Sequence, residues 1–98
     1  MSIAKATVRS SVLAETKYET LEGNVYFPPW TITDQCQLVD SDLTTYCGWK
    51  GHAKYYHVVV EDITIPNAAW YYPEPYEAAA NIKGFIAFDK SKIDIIVE

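Results

Sequence analysis

Cysteine and glycine are scarce in this 98-residue chain, with two of the first and four of the second. Cys36 and Cys47 stand eleven apart and form no Cys-x-x-Cys pair, so a structural zinc site has no ligand pattern, and a reducing compartment argues against a disulfide between them. Glycine is too sparse for a phosphate-cradling loop, and neither a Ser-His-Asp order nor a redox thiol pair occurs. Cations are outnumbered: eight Lys and Arg face thirteen Asp and Glu, for a net charge of −5. They are scattered, so there is no clustered basic face to neutralise a nucleic-acid backbone. No apolar run approaches the ~20 residues that span a membrane. The first fifteen residues mix Lys5, Arg9 and hydroxyls where a signal segment would be apolar. These absences predict a cytoplasmic protein with neither nucleic-acid nor membrane partners. No repeat, linker or low-complexity tract divides residues 1–98, which read as a single domain.

What the chain does have is apolar and aromatic. Its 49% apolar content, with eight tyrosines and three tryptophans, suffices for one core without metal or disulfide support. Residues 8–15 and 17–21 read as short strands, and Glu22-Gly23-Asn24 as a turn. A third strand at 25–27 stops at Pro28-Pro29, since adjacent prolines cannot continue a ladder. Residues 30–42 are weakly patterned, and β character returns at 44–47. Gly48 and Gly51 bracket a turn that exposes Trp49 and Lys50. Residues 53–60 are apolar on both faces and read as the central strand. Glu61-Asp62 turns the chain into a brief return at 63–65, ended by Pro66-Asn67. An extended aromatic and proline-rich segment follows, to residue 75. Pro75 then suits the first position of a short helix at residues 75–83, capped by Gly84. Residues 85–88 and 93–97 close the chain as a hairpin. The order is mainly β, and it predicts a small, strongly bent antiparallel sheet or an open barrel.

Glu22-Gly23-Asn24, Tyr26-Phe27-Pro28-Pro29, Thr44-Thr45-Tyr46-Cys47-Gly48-Trp49-Lys50-Gly51, Tyr55-Tyr56, Ala68-Ala69-Trp70-Tyr71-Tyr72-Pro73 and Gly84-Phe85-Ile86-Ala87-Phe88 follow one another in this order. Together they resemble the bacterial domain-of-unknown-function family 427, over about residues 8–97. The resemblance implies a β-tent-like fold of the bent-sheet type, shared with zinc-bearing methionine sulfoxide reductases. In Cys47-Gly48-Trp49-Lys50 a lysine stands where those relatives place a second thiolate, so zinc does not carry over. The family is at times labelled nucleotidyltransferase-like, a label that transfers no catalytic residue by itself.

Several residues could carry chemistry. A thiol titrates near ~8.5, and an ammonium ~6 Å away lowers that by about half a unit in water or about two in a partly closed cleft. Cys47 and Lys50 are therefore the candidate catalytic pair, against the plainer reading of a core thiol and a solvated lysine. Tyr46, Trp49, Tyr55, Trp70 and Tyr72 could wall a pocket for a planar ring or a cation, although strand aromatics are more often core. Glu22 and Asn24 belong to the turn that the resemblance highlights and could line the same cleft. Asp40-Ser41-Asp42 has the spacing that holds Mg²⁺ against phosphates, yet the Gly-Ser element that normally precedes it is missing, so a polar turn is the plainer reading. His52 and His57 lie five apart, on opposite faces of a continuous strand, and His52 is the nearer to Cys47. Glu15 and Glu74 are scattered acids.

These residues predict a small domain that binds an anionic or aromatic ligand between the turn at 47–50 and the segment at 70–73, with no metal or other cofactor. Lys50 would meet the anion and the aromatics would stack the rest. The alternatives are a cysteine-dependent or nucleotidyltransferase-like enzyme, and an interaction module that forms a homodimer through exposed aromatics.

Overall fold

The computed structural model describes residues 3–17, 20, 21 and 23–98. It is mainly β, with antiparallel pairing throughout and no closed barrel. β1 (Ile3–Val8), β2 (Ser11–Lys17) and, from the far end of the chain, β9 (Asp94–Val97) form a three-stranded sheet in the order β2-β1-β9. A two-stranded ribbon, β3 (Thr20–Leu21) and β4 (Asn24–Val25), follows. The large sheet runs β5 (Gln37–Cys47), β6 (Gly51–Val60), β7 (Ile63–Tyr71), β8 (Ile86–Phe88), each strand beside its sequence neighbour. Among the described residues no helix is long and apolar enough to cross a membrane.

The main core lies between the two larger sheets. Ala4, Ala6, Leu13 and Ala14 from one meet Val58, Ala69 and Phe88 from the other, with Phe27 and Ile93 filling between them. Phe27 and Phe88 meet edge-to-face at 5.5 Å, the arrangement favoured by aromatic quadrupoles. A second cluster covers the opposite face of the large sheet, where Ala53 and Ala87 pack with Tyr26, Tyr72, Ala79 and Ile82. Adjacent Tyr26 and Phe27 serve opposite faces because side chains alternate along extended backbone.

The bend of the large sheet has an identifiable cause. Asp40 pairs with Tyr56 and Thr44 with Lys54, so β5 spends four residues where β6 spends two. On the other side of β6, Ala69 pairs with Tyr56 and Ile65 with Val58, so β7 does the same. Two bulges therefore flank one stretch of β6, and bulges sharpen both bend and twist. Ser41 Oγ donates to Asn67 Oδ1, joining one bulge to the other. Asn67 reaches the left-handed region (φ 51°) and donates its N–H to His57 Nδ1 at 3.1 Å, which places the imidazole proton on Nε2.

Several boundaries depart from the sequence reading. The N-terminal strand begins at Ile3, and its hairpin turns on Arg9-Ser10 with Arg9 at φ 55°, a conformation that no glycine or asparagine signals. β5 extends back through the weakly patterned stretch to Gln37. β7 continues past Pro66, because the bulge removes the ladder bond that proline cannot make. Residues 77–82 do wind, as the composition suggests, but in 3₁₀ form (Glu77–Ile82) with a break at Ala79. The buried pair Ala79 and Ile82 is spaced three apart, matching the 3₁₀ repeat. The expected closing hairpin does not form: β8 pairs with β7 and β9 with β1, so the two segments serve different sheets.

Candidate functional site

Lys50 is buried, with 6% of its surface exposed. Its Nζ lies 5.2 Å from the centre of the Tyr72 ring and 5.5 Å from that of Trp49. Aromatic faces carry negative quadrupole potential and attract such a cation strongly once water is removed. Backbone bonds fix the arrangement. Tyr76 N–H donates to the Lys50 carbonyl at 2.9 Å, and Gly84 N–H to the Tyr72 carbonyl at 3.0 Å. Gly51, at φ 110°, turns the chain into β6 where a Cβ would stand 3.4 Å from the Glu74 carbonyl oxygen. Burial holds the Tyr72 hydroxyl above its ordinary titration range, while the Lys50 ammonium, hydrogen-bonded to it, pulls the other way and Cys47 adds a smaller upward push. Cys47, half-buried, packs against the same cluster.

The turn at 47–50 and the segment at 70–73 therefore meet, but through packing. Trp70 is partly buried, donates its Nε1–H to the Tyr26 hydroxyl at 3.3 Å and lies 6.2 Å from the Tyr55 ring. Tyr55 Oη also lies 3.2 Å from Thr45 Oγ1. Tyr46 is exposed on β5, with its ring 4.9 Å from His52 and its hydroxyl 3.5 Å from that of Tyr76. Asn24 sits in the β3–β4 ribbon and borders neither hollow described below. Glu22 lies outside the described residues.

Open space lies on the other face of the large sheet. A hollow of about 500 Å³ is lined by His52, Lys54, Pro73, Glu74 and Lys83. A second, of about 300 Å³, is lined by Asp40, Ser41, Thr44, Lys54, Tyr55 and Tyr71. Both volumes suit small-molecule sites. Cross-strand pairing explains their arrangement. Thr44, Lys54, Tyr71 and Ile86 are successive partners across the four strands, and so are Asp40, Tyr56, Ala69 and Phe88. Partners share a face, as do residues two apart on one strand. This face is core at Ala69 and Phe88 and opens to solvent at Lys54 and His52, both exposed. Tyr56 and Tyr71 stack at 4.7 Å beside the opening. Burial, reinforced by a hydrogen bond to Tyr71 and the nearby Asp40 charge, pushes the Tyr56 hydroxyl up to about 12.

Among the described residues neither Lys54 nor Lys83 makes an ion pair within the fold, in contrast to Lys5, which bridges Glu15 and Glu98 at 3.6 and 3.4 Å. Nor do the described residues bring together three or more His, Cys, Asp or Glu able to hold a metal ion. Asp40-Ser41-Asp42 forms the β5 bulge, closed by Leu43 N–H donating to Ser41 Oγ at 3.1 Å.

Sequence reasoning passed over Lys54 and Lys83. The signal for Lys54 was available: His52 and Lys54 stand two apart in a strand and must share a face. Lys83 carried none, because only the backbone tie between Gly84 and Tyr72 brings it to the hollow. No curated protein matches the chain in sequence. The family model described as Domain of unknown function (DUF427) matches residues 2–98, nearly its whole length, and the chain belongs to that family.

Proposed function

We propose that this protein binds a small anionic ligand in the hollow between the start of β6 and residues 73–74. The observation that carries the reading is the convergence of His52, Lys54 and Lys83 on one concavity of about 500 Å³ in a protein of net charge −5. Two ammonium groups outweigh the single carboxylate of Glu74 there, and a partly enclosed site strengthens attraction for a phosphate or carboxylate relative to bulk water. The aromatic faces of Trp49 and Tyr72 favour an anion over a stacked ring as the defining group, because Lys50 already occupies them. Tyr46 and Tyr76 leave an aromatic rim beside His52.

The test is isothermal titration with inorganic phosphate at low ionic strength. Binding should weaken at least tenfold in the Lys54→Ala/Lys83→Ala double variant and on raising the salt to 0.5 M, with the melting temperature of the free protein unchanged. Absence of heat and of thermal stabilisation at millimolar phosphate, methyl phosphate and acetate would sink the reading.

A further inference from the structure

The second hollow has a different chemistry, and it adjoins the first. Lys54 lines both. His52 and Lys54 are two residues apart on one face of β6, a step of about 7 Å, so the hollows lie end to end along that strand. A ligand seated on Lys54 can reach into each.

Resting on the anion-binding reading above, we propose that the second hollow receives the polyhydroxyl part of the same ligand, so that the ligand class is a sugar phosphate. The lining decides this. Asp40 contributes a carboxylate, which only accepts hydrogen bonds, and Lys54 an ammonium, which only donates. Thr44 and Tyr71 contribute hydroxyls that do either, whereas the Tyr55 hydroxyl lies against Thr45 Oγ1. The formal charges of Asp40 and Lys54 cancel, whereas the first hollow carries two lysines against Glu74. An apolar group placed here would strip water from Asp40 and Lys54 and return nothing. A second anion would meet Asp40, and a cation would meet Lys54. Neutral hydroxyls satisfy the acceptor and the donors together, since each both gives and takes a hydrogen bond. Adjacent hydroxyls on a sugar ring match the two oxygens of one carboxylate. Asp40 is also set for the task by its position: the β5 bulge starts at Asp40, and the bond from Ser41 Oγ to Asn67 ties that bulge to its counterpart on β7. The phosphate then sits among His52, Lys54 and Lys83, and the ring lies over the row formed by Thr44 and Tyr71.

Isothermal titration with inorganic phosphate, methyl phosphate, ribose 5-phosphate, glucose 6-phosphate and glucose tests this. At least one sugar phosphate should bind ten times more tightly than methyl phosphate, which has the same charge without the ring, and free glucose should bind far more weakly than either. Asp40→Asn and Thr44→Val, both at exposed positions, should erase the sugar increment without weakening methyl phosphate, which Asp40→Asn should bind somewhat more tightly because Lys54 loses its opposing charge, whereas Lys83→Ala should weaken every anion. Equal affinity for methyl phosphate and both sugar phosphates overturns the sugar subsite and leaves the anion site standing. An increment that survives Asp40→Asn and Thr44→Val overturns its placement. No binding by any phosphate overturns both proposals.

Discussion

Lys50 and Lys54 are four residues apart at the start of one strand, and the fold treats them in opposite ways. Lys50 is enclosed by Trp49 and Tyr72 with its carbonyl tied to Tyr76, while Lys54 projects from the open face between two hollows. One charge holds the turn to the aromatic segment, and the other faces open space. A cation beside aromatics in sequence can therefore mark internal packing, and which role it plays depends on which face of the sheet is covered. The face toward Tyr26 and Ile82 is closed by the 3₁₀ segment, whereas the opposite face is open at Lys54.

The largest effect expected from this contrast is on Lys50. Lys50→Ala removes a desolvated cation–π contact and the packing of its alkyl stem, and should cost about 2–3 kcal/mol. At about 4–8 °C per kcal/mol, the melting temperature should fall by about 8–24 °C. Lys50→Met, which retains most of the stem, should recover part of the loss. A melting temperature unchanged in both variants would break the comparison. Next is Gly51→Ala, which forces a side chain into φ 110° beside the Glu74 carbonyl and should cost about 1–3 kcal/mol by chemical denaturation. Lys54→Ala lies at the other extreme: an exposed lysine that makes no ion pair among the described residues should change stability by less than about 0.5 kcal/mol while weakening anion binding. A loss of stability as large as that of Lys50→Ala would reverse the two roles.

Titration sharpens the same contrast. Cys36 is pushed up to about 11 by burial and Tyr56 up to about 12, so both hold their protons in the folded state after the unfolded chain has lost them. The native state then binds more protons than the unfolded state, and stability falls as pH rises. The contribution is whole below the unfolded values near 9 and 10 and declines from there toward the folded values. Denaturant midpoints should accordingly drop above about pH 9. Alkylation of Cys36 in the native protein should quicken about tenfold per pH unit up to about pH 11. Ultraviolet titration of Lys50→Met should show the Tyr72 phenol ionising later than in the parent, because the ammonium that favours its anion is gone. An earlier Tyr72 transition in that variant would place Lys50 elsewhere.

Alternation and turn chemistry made much of the fold readable. The β6 strand follows from residues 53–60, and the β6–β7 hairpin turns at Glu61-Asp62 as expected. The bulges were not readable as such. Pro66-Asn67 looks like a strand end, and Asp40-Ser41-Asp42 like a polar turn; each lies inside a longer strand, because pairing resumes beyond the extra residues. The meeting of the 47–50 turn with the 70–73 segment was legible as a cluster of aromatics and a cation, but its sense was not. The same residues that compose a ligand cage also compose a packed interior, and nothing in their order says whether the cation comes from the ligand or from the chain.

The residue order by itself determined the class of fold, the family, the β6–β7 hairpin and the acidic balance, because alternation, turn residues and charge are local or additive properties. Tertiary structure alone decided that Lys50 is internal, that Lys54 and Lys83 face one hollow, and that Asp40 stands at its neighbour. Those outcomes depend on register across four strands and on the tie between residues 72 and 84, and pairings between distant segments leave no trace in the spacing of either one.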